Sequence, residues 1–352
     1  MKCKKILTAL LAAACTMSGC HGDLDIMQDN KLSASNMWID ESDAETATYG
    51  IYLYMRDALK SVHDIYLCWG EFRNGLWGAG TNKTLSGVDQ SQVRTSTMSS
   101  SNAYADWSVM YKTVNQANLI LKHVPEMGIS ESVRNFSLGN AYFSRAWCYF
   151  WIARIWGDAP LALTGYESTG GDLYLPRAPK AEIFARIESD LTEAERYVTD
   201  NSDKAVATPA AVQMLKADYA LWMYRVAGGG SSYLTMAEKA IEALNLSASR
   251  LESDYAQVFS SANKLNKEVI FAVHQANGVN GPGYYLGWNS NYVEAAYQNN
   301  PVPITGGNQW WWYTDRYKAL LTSVEGDTRT KLTYNRADYG TTIKSIEWTE
   351  KG

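Results

Sequence analysis

Apolar residues recur at spacings of three and four along most of residues 40–245, the period of helices that bury one face. Residues 40–60 place Ala44, Ala47, Ile51, Met55, Ala58 and Leu59 on one side. Residues 103–124 do the same with Trp107, Tyr111, Val114, Asn118 and Leu121, and Asn118 in that stripe reads as a satisfied interior amide. A helix over 132–156 carries two stripes, Tyr142, Ala146, Tyr149, Ala153, Trp156 and Phe143, Trp147, Phe150, Trp151. Its uncharged run, Ala146 to Ala153 between Arg145 and Arg154, is far too short to cross a bilayer. A helix apolar over that much of its circumference needs neighbours on more than one side, and Ala146 and Ala153 permit close approach. It stops at Gly157, with Pro160 three residues on.

Residues 180–198 form another amphipathic helix through Ile183, Ile187, Leu191, Ala194 and Val198. Thr208-Pro209 supplies an N-cap and a first-turn proline for a helix that runs to about Ala227. A further helix covers about 233–245. Helices paired through short loops predict a helical solenoid. The fragments Ala146-x-x-x-Phe150 and Ala217-x-x-x-Leu221 are similar to pieces of a tetratricopeptide repeat, without its full signature.

Two stretches break the helical period. Residues 68–102 hold five glycines, two tryptophans and a Ser/Thr-rich tail, and residues 276–313 are rich in Gly, Asn, Tyr and Trp after a predicted strand, "EVIFAVHQ". Irregular segments longer than about thirty residues are uncommon in compact domains unless functional or disordered, and their tryptophans argue against disorder.

The N-terminus changes the picture. Lys2, Lys4 and Lys5 precede an apolar stretch, Ile6 to Ala14, and small residues then lead to Cys20 in "TMSGC". This is a secretion signal over 1–19 with an ending similar to a bacterial lipobox, although Met17 stands where Leu is more usual. Cys20 is thus the predicted lipidation site, and residues 20–35 the tether. Removing residues 1–19 takes away three lysines and no acid, so the charge goes from −5 to −8. No basic run tracks a phosphate backbone, which excludes nucleic acid as a natural partner. Besides Cys20, only Cys68 and Cys148 remain, too few for a disulfide framework, and Cys148 sits among buried-type residues.

The search for catalytic chemistry returns little. Four histidines, at 21, 63, 123 and 274, show no metal-ligand spacing, and no nucleophile elbow, zinc-protease helix, Walker loop or dinucleotide loop is present. No cofactor or metal is expected. Glu188, Asp190, Glu193 and Glu195 read as solvated helix-face acids. A carboxylate pair for glycoside hydrolysis meets in space rather than in sequence, so an enzyme stays open as an alternative.

The positive signal is aromatic. Tyrosine (23) and tryptophan (13) far outnumber phenylalanine (7), a bias towards rings with a polar handle. "YLCWGEFRNGLWGAG" places Tyr66, Trp69 and Trp77 around Glu71, Arg73 and Asn74. "GYYLGWNSNYVEAAYQNN" places Tyr284, Tyr285, Trp288 and Tyr292 beside Asn289 and Asn291. Flat rings beside amides and an arginine suit a carbohydrate, whose C–H face stacks while its hydroxyls find partners. Stacking that removes about 100 Å² of apolar area per sugar contributes roughly 2–3 kcal/mol before association costs. The candidate contacts are Trp77 and Trp288, then Tyr284, Tyr285 and Trp69, with Arg73, Asn74 and Asn289 as hydroxyl partners. The same rings could instead pin long loops to the helices. The "WWWY" run at 310–313 leads into a predicted helix, "TDRYKALL", which assigns at least two of its rings to packing.

The order of these features resembles the SusD/RagB outer-membrane lipoproteins. The matching pieces are "NMWIDESDAETATYGIY", "WGEFRN", "MYKTVNQANLILKHV", "AYFSRAWCYFWIARIWGDAPLAL", "LPRAPKAEIFARIESDLTEAERYV", "ATPAAVQMLKADYALWMYR" and "DYAQVFSSANKLNKEVIFAVHQ". The resemblance implies a mainly α fold: a tetratricopeptide-like helical scaffold with long irregular loops and a few short strands. It divides the chain into an N-terminal helical region, 36–230, with a loop insertion at 68–102, and the start of a C-terminal region, 231–352. It also implies a non-catalytic, surface-exposed protein that passes glycan to a TonB-dependent (SusC-like) outer-membrane transporter and touches the membrane through its lipid alone. Asp23 and Asp25 fit the acidic export signals of such lipoproteins. The family's closing helical region has no counterpart before Gly352, so the chain reads as a fragment or truncated product. Two alternatives are a secreted polysaccharide-degrading enzyme and a structural or peptide-binding transporter subunit.

Overall fold

Local sequence sets where the helices begin. In the computed structural model, which describes residues 37–62, 65–70, 73–79, 88–168, 173–258, 260–274, 311–321 and 323–327, helix α1 spans Glu41–Leu59. It opens on a capping box: Asp40 accepts from the Asp43 N–H at 3.1 Å, and Asp43 accepts from the Asp40 N–H at 3.2 Å. Its predicted stripe is the buried one, with Ala44, Ile51 and Met55 fully enclosed. The chain divides into two units after Ile39, and α1 and all later elements belong to the second.

The stretch read as irregular, 68–102, is more ordered than its sequence predicts. It contains the end of α2 (Ile65–Trp69), strand β1 (Trp77–Ala79) and α3 (Val88–Thr95). Amide side chains substitute there for apolar periodicity. Asn102 Nδ2 donates to the Asp89 carbonyl at 3.1 Å and to Gln92 Oε1 at 2.9 Å, tying the Ser/Thr-rich tail to α3.

Helices α4 (Ser108–His123) and α5 (Glu131–Ile155) follow. α5 packs against α4, α1 and the next long helix, α6 (Lys180–Tyr197), so its two stripes face different neighbours. Phe143, Tyr149 and Phe150 are enclosed, while Trp147, Trp151 and Trp156 lie half-buried at the edge of the core. Gly139 marks a close approach of α5 to the end of α6: a Cβ there would lie 2.6 Å from Val198 Cγ2 and 3.1 Å from its backbone nitrogen. Gly157, at φ 75°, ends α5 in the left-handed region.

Between α5 and α6, β2 (Ala159–Pro160) and β3 (Arg177–Ala178) pair antiparallel and close the intervening strap at its base. Asp158 Oδ1 then accepts from the Lys180 N–H at 2.8 Å, capping α6. α7 (Pro209–Arg225) starts as predicted, with Thr208 Oγ1 accepting from the Ala211 N–H at 3.1 Å. It packs along α8 (Ser231–Ala243). A one-turn helix, α9 (Tyr255–Val258), strand β4 (Trp311–Tyr313) and α10 (Asp315–Leu321) complete the described α-helices and strands.

The predicted strand at 268–275 is a correction. Its described residues, 268–274, join no ladder. Instead the Ala272 N–H donates to the Lys204 carbonyl at 2.9 Å, and Phe271 lies 5.3 Å from the Phe143 ring and 6.1 Å from Tyr52. A short apolar run buries itself equally well as a single extended segment laid over helices, and periodicity does not separate the two.

Candidate functional site

The loop carrying Arg73, Asn74 and Trp77 is fastened at its base by tryptophans. Trp69, offered by the sequence as a ligand platform, is corrected to a packing residue. It is 8% exposed, its indole N–H donates to the Tyr104 carbonyl at 2.8 Å, and its ring lies 5.4 Å from Trp156 and 5.9 Å from Trp151. Trp156 makes the parallel bond to the Ala105 carbonyl at 3.0 Å. A buried indole must place its N–H on an acceptor, and both choose the same short segment. α2 has five residues, too few for a helical period to mark Trp69 as interior.

Past this anchor the chain turns outward. Arg73 and Asn74 are exposed. Asn74 Oδ1 accepts from the Leu76 N–H at 2.9 Å, an Asx turn, and Gly75 sits at φ 79°, where a side chain is strained. The turn delivers the backbone into β1.

β1 pairs antiparallel with β4, placing Trp77 opposite Tyr313, Gly78 opposite Trp312 and Ala79 opposite Trp311. The ladder continues at Thr314, whose N–H and hydroxyl both donate to the Leu76 carbonyl, at 2.9 and 3.0 Å, across 238 residues of sequence. Thr314 Oγ1 also accepts from the Tyr317 N–H at 3.3 Å, at the start of α10. The two aromatic stretches of the sequence are therefore joined by backbone pairing. Opposed positions of an antiparallel pair share a face, so positions 77, 79, 311 and 313 lie on one side of the ribbon. Sequence reading missed this strand because three residues leading into a helix carry no legible alternation.

Trp288, Tyr284, Tyr285 and Asn289, and the lipidation cysteine Cys20, lie outside the described residues. Among the described residues no group of three or more His, Cys, Asp or Glu could hold a metal ion, and no helix is long and apolar enough to cross a membrane. Cys68 and Cys148 are both buried, and burial pushes the Cys148 thiol up, away from its nucleophilic form. What the ribbon and its turn offer is exposed hydrogen-bonding groups, Arg73 and Asn74, beside a pair of strands rich in aromatic residues.

Comparison with known proteins adds to this geometry. Residues 79–222 match the SusD-like family described as "Starch-binding associating with outer membrane". SusD-like protein P38 of Formosa agariphila is 26% identical over 190 residues, 54% of this chain and 36% of that protein. The chain thus matches about a third of that relative's length. A solved SusD superfamily protein from Bacteroides fragilis superposes with a TM-score of 0.66 at 25% identity, over 84% of this chain and 63% of the other. Surface glycan-binding protein A from Bacteroides thetaiotaomicron, solved in complex with laminarihexaose, shares the fold with a TM-score of 0.55 at 17% identity, over 66% of this chain and 49% of its own.

Proposed function

Because this chain belongs to the SusD/RagB family, we propose that it is a surface-exposed, lipid-anchored outer-membrane protein that binds glycans without turning them over and delivers them to a TonB-dependent transporter. The observation that carries this reading is the β1–β4 ribbon, which brings position 77 beside 311–313 with exposed Arg73 and Asn74 at its turn. Aromatic positions paired across a backbone ribbon, with hydrogen-bonding side chains at its turn, suit a flexible, hydroxyl-rich ligand. The family's starch-binding description and a fold neighbour solved with laminarihexaose support a glycan over a peptide. Trp77 and Trp288 are the proposed stacking platforms, Tyr284 and Tyr285 secondary ones, and Arg73, Asn74 and Asn289 the hydroxyl partners. Cys20 is the proposed lipid site, and the pore partner is a SusC-like barrel.

Affinity electrophoresis through gels containing neutral polysaccharides tests the binding. Wild-type protein is expected to be retarded, while folded Trp77→Ala and Trp288→Ala run faster. Equal retardation of all three moves the site elsewhere. Release of reducing ends from the same polysaccharides supports the enzyme alternative, and the absence of any retardation together with co-purification of a barrel supports the structural one. Labelling with a palmitate analogue is expected for wild type and not for Cys20→Ala.

A further inference from the structure

A cavity of about 340 Å³, lined by no residue of the ribbon, lies between α4 and the strap that β2 and β3 close. Trp107, Ser108, Tyr111 and Asn115 line it from the α4 side, and Leu173 and Leu175 from the strap. It is open to solvent, with Ser108 and Leu173 exposed among its lining residues. Side-chain hydrogen bonds fix the strap beside it. Asn115 Nδ2 donates to the Tyr166 carbonyl at 3.0 Å while its Oδ1 accepts from the Tyr166 N–H at 2.7 Å. Asn118 Nδ2 reaches the carbonyls of Ala162 and Thr164 at 3.0 and 3.3 Å, and Tyr149 donates to the Ala162 carbonyl at 2.8 Å. Tyr111 donates to the Pro160 carbonyl at 2.7 Å. Asn118 is itself fixed from behind, its Oδ1 accepting from Arg145 Nη1 at 2.7 Å. Buried and half-buried polar side chains thus pin the strap to α4 over residues 160–166, and the gap lies beside these fixed contacts.

The walls differ in character. One is aliphatic, from Leu173, Leu175 and Pro160. The other presents the Trp107 and Tyr111 rings, whose centroids are 6.3 Å apart at 74°, with the Ser108 hydroxyl at the exposed end. No lining residue carries a formal charge, and burial raises the Tyr111 phenol so that it stays neutral at physiological pH. Arg177 is spent against Trp107, its guanidinium carbon 4.8 Å from the ring centroid. A ligand matched to this cavity is uncharged, has an apolar face for the rings and carries hydroxyls on its edge. Its size is at the small end of ligand pockets.

We propose that the cavity between α4 and the strap is a second carbohydrate subsite, taking one or two neutral pyranose units independently of the ribbon. Saturation-transfer NMR and calorimetry on the full chain test it, with methyl glucoside, galactoside and mannoside, maltotriose and laminaritriose as probes. Saturation of the sugar ring protons is expected with at least one probe, at millimolar to sub-millimolar affinity. Ser108→Trp fills the cavity mouth from an exposed position without removing a core contact. It is expected to weaken binding at least tenfold while leaving gel retardation by polysaccharide unchanged, and Trp77→Ala should show the reverse pattern. Loss of polysaccharide retardation in wild type with small-sugar binding intact would sink the ribbon reading and leave this one standing. The proposal is overturned if none of the probes binds, if Ser108→Trp binds them like wild type, or if only an apolar probe such as toluene enters the cavity.

Discussion

Arg145 and Asp190 meet as a two-point ion pair in the core, with Arg145 Nε and Nη2 reaching the two carboxylate oxygens at 2.8 and 2.7 Å and the Asp190 side chain fully enclosed. The sequence groups Asp190 with solvated helix-face acids, but its neighbour on α5 draws it inward. A buried pair is weak evidence of net stabilisation, because desolvation offsets much of the attraction. Removing one partner is a different matter. Asp190→Ala is expected to lower unfolding free energy by about 3–5 kcal/mol, since it leaves a buried guanidinium uncompensated. Arg145→Met with Asp190→Leu should recover most of that loss in urea denaturation. A double variant as unstable as the single one would show that geometry, not unpaired charge, sets the cost.

Two tryptophans near each other in sequence should behave in opposite ways. Trp69→Ala empties a site enclosed by Trp151 and Trp156 and removes the indole bond to the Tyr104 carbonyl, so about 3–5 kcal/mol of stability should be lost. Trp77→Ala lies on a two-stranded ribbon of three residues per strand and should shift the melting temperature by little. Differential scanning calorimetry of both variants reads the contrast directly. Similar shifts in the two would place Trp77 in the packing as well.

The helical scaffold was legible because its residues repeat. Ala44, Ile51 and Met55, or Ile183, Ile187 and Leu191, each mark one face several times over, and tertiary packing then uses that face. The caps at Thr208 and Gly157 were equally readable, since they answer local backbone needs. Long-range pairings were not. Nothing near Trp77 in sequence points to Tyr313, and a three-residue ladder has no period to detect. The cavity was hidden for a related reason: Trp107 and Tyr111 keep a helical stripe whether the facing strap packs on them or is held away. Asn115, which sets that distance with two bonds to Tyr166, looks in sequence like any helix-surface amide.

Acid should loosen the strap before it unfolds the helices. Glu167 bridges Lys122 Nζ at 2.5 Å and His123 Nε2 at 2.7 Å. The Lys122 bond, followed by those from His123, holds the Glu167 carboxyl below its ordinary value of 4.5, against the opposing effect of burial. A carboxylate depressed in the folded state adds stability above its unfolded pKa and loses it as pH falls through the folded one. Wild type should therefore be more stable than Glu167→Gln at neutral pH, by a margin that shrinks below about pH 4.5 and also in high salt. Melting curves across pH 3–7 check the sign. A margin that grows with acid would mean the pair does not bind in this sense.

Gly165 tests whether the strap is truly fixed against α4. A Cβ on it would lie 2.8 Å from the Leu119 backbone nitrogen, 2.8 Å from Leu119 Cδ2 and 3.0 Å from the Asn118 carbonyl carbon. The two backbone atoms belong to a helix and cannot swing aside as a side chain end can, so Gly165→Ala must push the strap outward. That movement pulls directly on Asn118 and Asn115, whose bonds to the Ala162, Thr164 and Tyr166 backbone set the strap's position. Overpacking of this kind costs about 1–3 kcal/mol. The expected result is a fall in stability of that size together with faster amide exchange at Tyr166, whose N–H is held by Asn115. Exchange elsewhere in α5 and α6 should change only by the global amount. If Gly165→Ala is as stable as wild type and Tyr166 stays protected, the strap tolerates displacement and its hydrogen bonds follow the backbone rather than hold it.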